Sequence, residues 1–392
     1  MARNLRYGVG PEINDIQGFR DDAVAGWSIV SVPAPAQGAY FFRATGVDAA
    51  ALEFQGSADS LAFTYRWIVL REFRLDGTLN AGQEVSFLRW DTTAAGVAHR
   101  LHWVRVSAST YNLRLKRNGA VLGTGSTAFS TGASVAIRVQ TDGAHVQVWA
   151  NGALEIDALT TESMVLTVFY LKNVLAAGQD MYFGGLAVYE AANESDRPGT
   201  VVSRYGLFPN AEAVGQYGGL ISGGVEDCAD TAKGRFQNWD DWLAGGVNDG
   251  NTEYNCNYGT PALKEISELS TAVVANVANA GVICRGFVRA NIAAKNIITF
   301  HRIEDAAGNS LERQNAVLTD TTYHVRAAAL NRPPDGLAWT QAKVDALRGG
   351  VRTPGMNLAG DLWTAWGIEL FTVDDDPPLP GGFSMRNYWP LG

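Results

Sequence analysis

The stretch VAIRVQTDGAHVQVWANGALEI at residues 135–156 decides the fold of this 392-residue chain. Its apolar residues occupy every second position, and a period of two is typical of a strand with one buried face. The dipeptides Asp142-Gly143 and Asn151-Gly152 interrupt the alternation. Because such dipeptides accept the positive φ angles of tight hairpin turns, the stretch predicts adjacent strands that pair antiparallel.

The same alternation recurs along most of the chain. It runs from Trp27 to Tyr189, where MVLTVFYL at 164–171 predicts either a central strand covered on both faces or a strand at a domain contact. Strand-like runs return at 281–289, 296–303, 322–329 and 364–373. One short helix is predicted at 340–348, with Thr340 as its N-terminal cap and Gly349 at its end. A second helix at 261–270 is an alternative that the sequence leaves open.

Length and composition divide the chain into two all-β domains. The sequence is 46% hydrophobic and 18% charged and contains 43 Gly and 11 Trp, a balance that favours strands joined by turns. We predict two antiparallel jelly-roll-like β-sandwiches with extended termini. The predicted parts are an N-terminal arm at 1–16, a first sandwich at 17–190, a linker at 191–204, a second sandwich at 205–373 and a C-terminal tail at 374–392.

Charge and cysteine usage narrow the range of partners. The net charge is −9 and no long Lys/Arg cluster interrupts it, which disfavours a nucleic-acid partner. No segment approaches the roughly 18 apolar residues of a membrane span, and the N-terminus has no apolar signal region, so we expect a soluble protein made in a cytoplasm.

The odd number of cysteines, Cys228, Cys256 and Cys284, predicts buried free thiols.

A family resemblance rests on LKRNGAVLGTG at 115–125 followed by the stretch at 135–156. Together they resemble the laminin-G/concanavalin-A-like jelly roll, in which a strand ends in V-x-V-x-x-N-G, here with Asn151 and Gly152. Segment 333–352 resembles parts of bacteriophage virion proteins. The resemblance implies a structural or binding role, although domains of this class also serve as glycosidases, so the fold alone settles no function.

The carboxylates that a glycosidase would need are incomplete. Glu155 and Asp157 lie two residues apart after an Asn-Gly turn, but the second Glu of the hydrolytic motif in the resembled family is replaced by Thr160 and Thr161. Hydrolysis of a glycosidic bond requires a pair of carboxylic groups. The sequence contains neither a G-x-S-x-G nucleophile elbow nor a phosphate-binding GxxxxGK[ST] loop. We therefore predict that the protein is not an enzyme.

Two groups of residues are candidates for ligand binding. Trp239 and Trp242 would stack on sugar rings if exposed, although packing into the core is the alternative for each. Asp249, Asn251 and Glu253 place oxygen ligands at alternating positions and are candidates for a Ca²⁺ site, for which a turn with Asx hydrogen bonds is the alternative. Apart from this Ca²⁺, no cofactor is predicted. His99 and His102 are three residues apart on a strand and should face opposite sides, which does not suit a metal pair.

The tail combines an acidic, proline-rich start with the large apolar residues Phe383, Tyr388 and Trp389. Because such rings are costly to leave in water, they predict an anchor on a neighbouring subunit. The leading hypothesis is an accessory virion protein (capsid decoration, tail or fibre component) whose partners are other virion proteins and further copies of itself. The alternative is a lectin-like module that recognises glycans on a host surface.

Overall fold

The computed structural model describes fifteen parts of the chain. They are residues 3–9, 27–30, 41–45, 51–55, 63–172, 176–215, 255–257, 263–274, 276–290, 296–315, 317–319, 321, 324–330, 332–354 and 361–375. Within these residues the fold is almost entirely antiparallel β-structure, as the alternation predicts.

The strands, numbered in chain order, form four antiparallel sheets. Sheet A contains β1 (Arg3–Val9), β2 (Trp27–Val30), β3 (Phe41–Thr45), β5 (Tyr65–Asp76), β11 (Ser134–Thr141), β12 (His145–Ala150), β13 (Ala153–Leu159), β15 (Asp180–Phe183) and β16 (Leu186–Ala191). Sheet B contains β4 (Ala51–Gln55), β6 (Glu84–Thr92), β7 (Ala98–Ser107), β8 (Thr110–Arg117), β9 (Ala120–Thr124), β10 (Phe129–Ser130) and β14 (Met164–Lys172). Sheet C contains β17 (Pro198–Leu207), β19 (Asn255–Asn257), β21 (Gly281–Ala290), β24 (His324–Leu330) and β26 (Asp361–Asp375). Sheet D contains β18 (Pro209–Gly215), β20 (Leu263–Leu269), β22 (Phe300–Glu304), β23 (Ser310–Gln314) and β25 (Arg348–Thr353).

Sheets A and B face each other and form the first sandwich. Their inner faces share one apolar cluster, to which β5 contributes Ile68 and Leu70 and β7 contributes Leu101 and Trp103. The stretch that decides the fold forms β11, β12 and β13, and the turn between the last two has Asn151 at φ 49°. The predicted hairpin is therefore present, with the positive φ that Asn-Gly supplies.

Sheets C and D form the second sandwich around a separate apolar cluster. Trp363 and Trp366 of β26 lie in this core, and a Cβ added to Gly286 of the neighbouring β21 would stand 2.1 Å from the Trp363 ring. Cys284, also in this core, is a buried free thiol, as predicted. Burial raises the pKa of the Cys284 thiol, so it stays protonated and unreactive.

Two helix predictions differ from the structure. Segment 261–270 contains strand β20, which pairs with β18 and β25, so the helical alternative for it is wrong. The helix at 340–348 exists but is shorter: α1 spans Gln341–Asp345, and the Thr340 hydroxyl accepts a hydrogen bond from the Lys343 amide. It ends early because Arg348–Thr353 is the central strand β25, whose pairing with β20 and β22 excludes helical geometry.

The two sandwiches are stacked, so that sheets A and C are covered on both faces. A third apolar cluster joins them, in which Trp67 and Tyr189 of sheet A pack with Ile283 and Phe371 of sheet C. The order of layers is therefore B, A, C, D. The contact explains why β16 is buried at every position, which a strand on a sandwich surface would not be.

A buried ion pair lies at the same contact. The Arg285 Nε atom of β21 is 2.9 Å from Glu369 Oε2 of β26, and their side chains are 3% and 1% exposed. Arg285 is two residues from Ile283 on β21, and Glu369 is two residues from Phe371 on β26. Because side chains two residues apart on a strand share a face, both lie on the face that meets sheet A.

The chain passes between the sandwiches through a short connection. Within the predicted linker at 191–204, β16 ends at Ala191, a 3-10 turn covers Glu194–Asp196, and β17 begins at Pro198. The buried Arg138 of sheet A donates to the Pro198 carbonyl oxygen at 2.7 Å and lies over the Trp149 ring at 4.4 Å. The connection is thus held against the first sandwich.

The ends of the chain are partly strands. Residues 3–9 of the predicted N-terminal arm form β1, which pairs with β16, and Leu5 on it packs against Gly281 of the second sandwich. The alternation of Leu5, Tyr7 and Val9 explains this pairing. At the other end β26 continues to Asp375, two residues beyond the predicted boundary.

Candidate functional site

Within the described part of the chain, sheet B packs on another sheet, sheet A, through one of its faces only. Leu101 of β7 and Leu113 of β8 point into the core, so alternate positions on these strands point outward. Three neighbouring strands therefore present a surface of mostly polar side chains, which we call the B face. It consists of Glu84, Ser86, Arg89 and Asp91 on β6, Arg100, His102 and Val104 on β7, and Asn112, Arg114 and Lys116 on β8.

Glu84 is the centre of the B face. Its carboxylate reaches across β7 and lies 2.6 Å from Lys116 Nζ, 3.0 Å from the Arg114 guanidinium and 3.2 Å from His102 Nδ1. Partial burial acts to raise the pKa of Glu84. The hydrogen bond from Lys116 and the charges of the basic neighbours outweigh it and hold that pKa below its usual range. The carboxylate is therefore ionised at neutral pH and held from three sides.

His102 is neutral beside this carboxylate. The pKa of His102 is lowered to about 4, mainly by burial and also by the charges of Lys116, Arg100 and Arg114, against the opposing effect of Glu84. A neutral imidazole has one N–H donor and one acceptor nitrogen. The B face thus combines an acceptor-only carboxylate, donor-only guanidinium groups and an imidazole that does both.

The surrounding side chains of the B face are also held in place. Arg114 donates from Nε to the Thr124 hydroxyl at 3.1 Å, and Asn112 donates to the Gly125 carbonyl oxygen at 2.9 Å. A ligand that binds here meets groups that have already lost much of their rotational freedom, which reduces the entropy cost of binding.

Glu155 and Asp157 lie elsewhere, on the edge strand β13. The Glu155 carboxylate accepts from the Thr127 amide at 3.1 Å and from its hydroxyl at 2.5 Å. Asp157 is 2.8 Å from His145 Nδ1. Each carboxylate is therefore engaged with a neighbouring loop or strand, which agrees with the interpretation of a polar strand end.

The other residues predicted from sequence fall outside the described residues. These are Trp239, Trp242, Asp249, Asn251, Glu253, Phe383, Tyr388 and Trp389. The calcium site and the tryptophan stacking site stay predictions. Among the residues that the structure describes, no group of three or more His, Cys, Asp or Glu is placed to hold a metal ion. In the same part of the chain no helix has the length and apolar character to cross a membrane.

His99 and His301 are buried in the sandwich interiors. His99, on the face opposite to His102 as the alternation predicts, has a pKa lowered to about 4 by burial and lies 5.7 Å from the Trp90 ring. His301 accepts from Trp366 Nε1 at 3.1 Å, so its other nitrogen carries the proton that bonds to the Arg326 carbonyl oxygen at 2.9 Å. Both histidines are structural.

Comparison with known proteins finds only solved structures of low similarity. No protein-family model matches the sequence, and no curated protein matches it. Matching solved structures include the conserved carbohydrate esterase from Shiga toxin-encoding bacteriophage phi24B, a Bacillus subtilis protein with a galectin-like fold, and the CBM2 module of Lactobacillus casei BL23 phage J-1 evolved Dit.

The three matches are 18%, 12% and 10% identical to this chain, with TM-scores of 0.33, 0.31 and 0.31. They cover 43%, 49% and 49% of this chain and 91%, 98% and 98% of their own. At such identities and TM-scores neither activity nor ligand is transferred to this chain. No comparison shows a virion-type or laminin-G family, so that finer identification also stays a prediction.

Proposed function

We propose that the protein is a carbohydrate-binding protein that recognises its ligand through the B face. The observation that carries the proposal is the arrangement around Glu84, in which Lys116, Arg114 and His102 surround one ionised carboxylate on adjacent strands. Among the described residues no other sheet packs on this face, whereas sheets A and C are covered on both sides.

The chemistry of the B face suits saccharide hydroxyl groups. A hydroxyl both donates and accepts hydrogen bonds, and it is bound best where fixed donors and fixed acceptors alternate. Glu84 supplies an acceptor and Arg114 supplies donors, while the buried ring nitrogens of His102 lie beside the Glu84 carboxylate. Hydrogen bonds to charged groups are about twice as strong as those between neutral groups, which favours a face built around an ion cluster.

A glycan microarray probed with the intact protein tests this proposal. We expect a defined set of glycans to bind, and Arg114→Ala to weaken that binding by about tenfold or more, because hydrogen bonds to charged groups contribute roughly 1.5–3 kcal/mol. Arg348→Ala is the matched control, since Arg348 contacts Glu268 at 3.3 Å on the exposed side of sheet D.

The control should bind the same glycans with unchanged strength. Absence of any bound glycan would contradict the proposal, as would equal binding by the Arg114 variant and the wild-type protein.

We further propose that the protein acts as an accessory component of a phage particle, with the tail as its attachment. The favouring observation is the end of β26, where Asp375 pairs with Pro198 beside the junction of the two sandwiches. The tail therefore starts at a fixed point of the stack, and Phe383, Tyr388 and Trp389 follow it in sequence. Further copies of the protein on the particle belong to this proposal.

Truncation after Asp375 tests the attachment. Because β26 stays intact, we expect an unchanged midpoint of thermal unfolding and strongly reduced incorporation into particles, since burying each large ring contributes roughly 1.5–3 kcal/mol. Thermal unfolding of the purified protein and quantitative blotting of purified particles measure the two effects. Normal incorporation would refute the anchor, and much earlier unfolding would show that the tail completes a sandwich.

The proposal contains no catalytic step. Glu155 and Asp157 were the nearest candidates for a carboxylate pair, and they are engaged with Thr127 and His145. That the protein is not an enzyme stays a prediction.

A further inference from the structure

Three cations stand side by side on the B face. In the register of sheet B, Arg89 of β6 is the direct partner of Arg100 on β7, and Arg100 is the direct partner of Lys116 on β8. Like charges directly opposite each other on neighbouring strands are destabilising. The row of Arg89, Arg100 and Lys116, which we call the cationic row, is therefore unfavourable for the isolated protein.

Two of the three charges are compensated within the protein. Arg89 donates to Asp91 at 3.2 Å, and Lys116 lies 2.6 Å from Glu84. Arg100, the central member, is exposed, and among the residues that the structure describes it has no carboxylate partner. The nearby His102 is neutral, and the charge of Arg100 is one of the influences that keep it so.

The charge of the B face is opposite to that of the whole chain. Arg89, Arg100, Arg114 and Lys116 are four positive side chains, against the two negative side chains Glu84 and Asp91, in a chain of net charge −9. The net charge of the chain therefore disfavours a negatively charged ligand, while the charges of the B face attract it. A guanidinium group also presents parallel donors that match the oxygens of a carboxylate or sulfate.

We propose that the saccharide bound by the B face is acidic and that its carboxylate or sulfate group binds at the cationic row, with Arg100 as the principal contact. This inference rests on the proposed carbohydrate-binding function and specifies the ligand class for the same site. The anion supplies a negatively charged partner for Arg100, while Glu84 and Arg114 remain next to the hydroxyl groups of the sugar.

The test uses the intact protein on an array that carries neutral, carboxylated and sulfated glycans. We expect binding to carboxylated glycans, sulfated glycans or both, with the array itself distinguishing the two sources of charge. Arg100→Gln should weaken this binding by about tenfold or more. Arg100→Lys should weaken it less, because lysine keeps the positive charge and loses only the paired donors of the guanidinium group. Raising the salt concentration should weaken it too, because partly exposed charges are screened.

Stability measurements separate loss of binding from loss of folding. Because Arg100 is repelled by both cross-strand neighbours, Arg100→Gln should leave the midpoint of thermal unfolding unchanged or raise it. Arg348→Gln, on sheet D, is the control and should leave both stability and glycan binding unaltered.

The outcomes distinguish this inference from the proposed function. Binding to neutral glycans alone would overturn the inference and leave carbohydrate binding intact, whereas absence of all binding would overturn both. Acidic glycans that bind the Arg100→Gln variant as strongly as the wild-type protein would also overturn it. So would equal binding to double-stranded DNA, because that would show attraction to any polyanion rather than recognition of a saccharide.

Discussion

Replacing Arg285 by methionine is expected to lower the free energy of unfolding by about 3–5 kcal/mol, because the change removes the positive charge that offsets the buried Glu369 carboxylate. The two side chains are 3% and 1% exposed and 2.9 Å apart, between sheets A and C. Water cannot replace the lost guanidinium at this position without opening the contact between the two sandwiches. Urea denaturation of the purified protein measures the change.

The double variant Arg285→Met with Glu369→Leu removes both charges. It shows whether the loss of stability comes from a buried charge left unbalanced or from loss of the ion pair itself. Replacing a whole buried ion pair by apolar residues is often nearly neutral, so most of the lost stability should return. Arg348→Met is the matched surface control. Its partner Glu268 is half exposed, and exposed pairs contribute about 0–1 kcal/mol. Equal effects at the buried and the exposed pair would contradict this account of the interface.

Trp67→Ala is expected to cost about 3–5 kcal/mol, the range for removing a large buried aromatic side chain. Trp67 is fully buried in the cluster that joins sheets A and C, and its indole N–H donates to Gln140 at 2.9 Å. The variant leaves a cavity at the contact and an amide oxygen without its donor.

Calorimetry shows whether the stacked sheets unfold together. With a shared apolar cluster and a buried ion pair between the sandwiches, we expect one transition for the wild-type protein and one transition at lower temperature for Trp67→Ala. Leu337→Ala is the control, since Leu337 is 67% exposed and surface changes usually stay within about 0.5 kcal/mol. Two transitions, of which Trp67→Ala shifts only one, would show that the sandwiches are independent.

The sequence predicts strands well where one face is buried and less well elsewhere. The alternation at 135–156 and its turn at Asn151 correspond directly to β11, β12 and β13. Segment 261–270 contains Lys264, Glu265 and Glu268, residues that favour helices, and it is a strand because β18 and β25 pair with it on either side. Such pairing is a long-range contact that local composition does not contain.

The packing of sheet A on sheet C is not predicted from the sequence, although one segment has a pattern that indicates it. LAVYEA at 186–191 has apolar residues on both faces, which suits a strand covered on two sides. The motifs that usually signal function, such as paired carboxylates or metal-ligand spacing, do not occur in the B face. Glu84, His102 and Lys116 meet only through the register of three strands, so no spacing along the chain indicates their contact.

Photo-crosslinking with a bound glycan tests the central claim most directly. The glycan with the strongest array response, carrying a diazirine group, is irradiated with the intact protein, and mass spectrometry locates the adducts. We expect adducts in β6, β7 and β8, at residues 84–92, 98–107 and 110–117, and their loss in the Arg114→Ala variant. Adducts confined to the second sandwich, or to the edge strand β13 at Glu155 and Asp157, would contradict the assignment of carbohydrate binding to the B face.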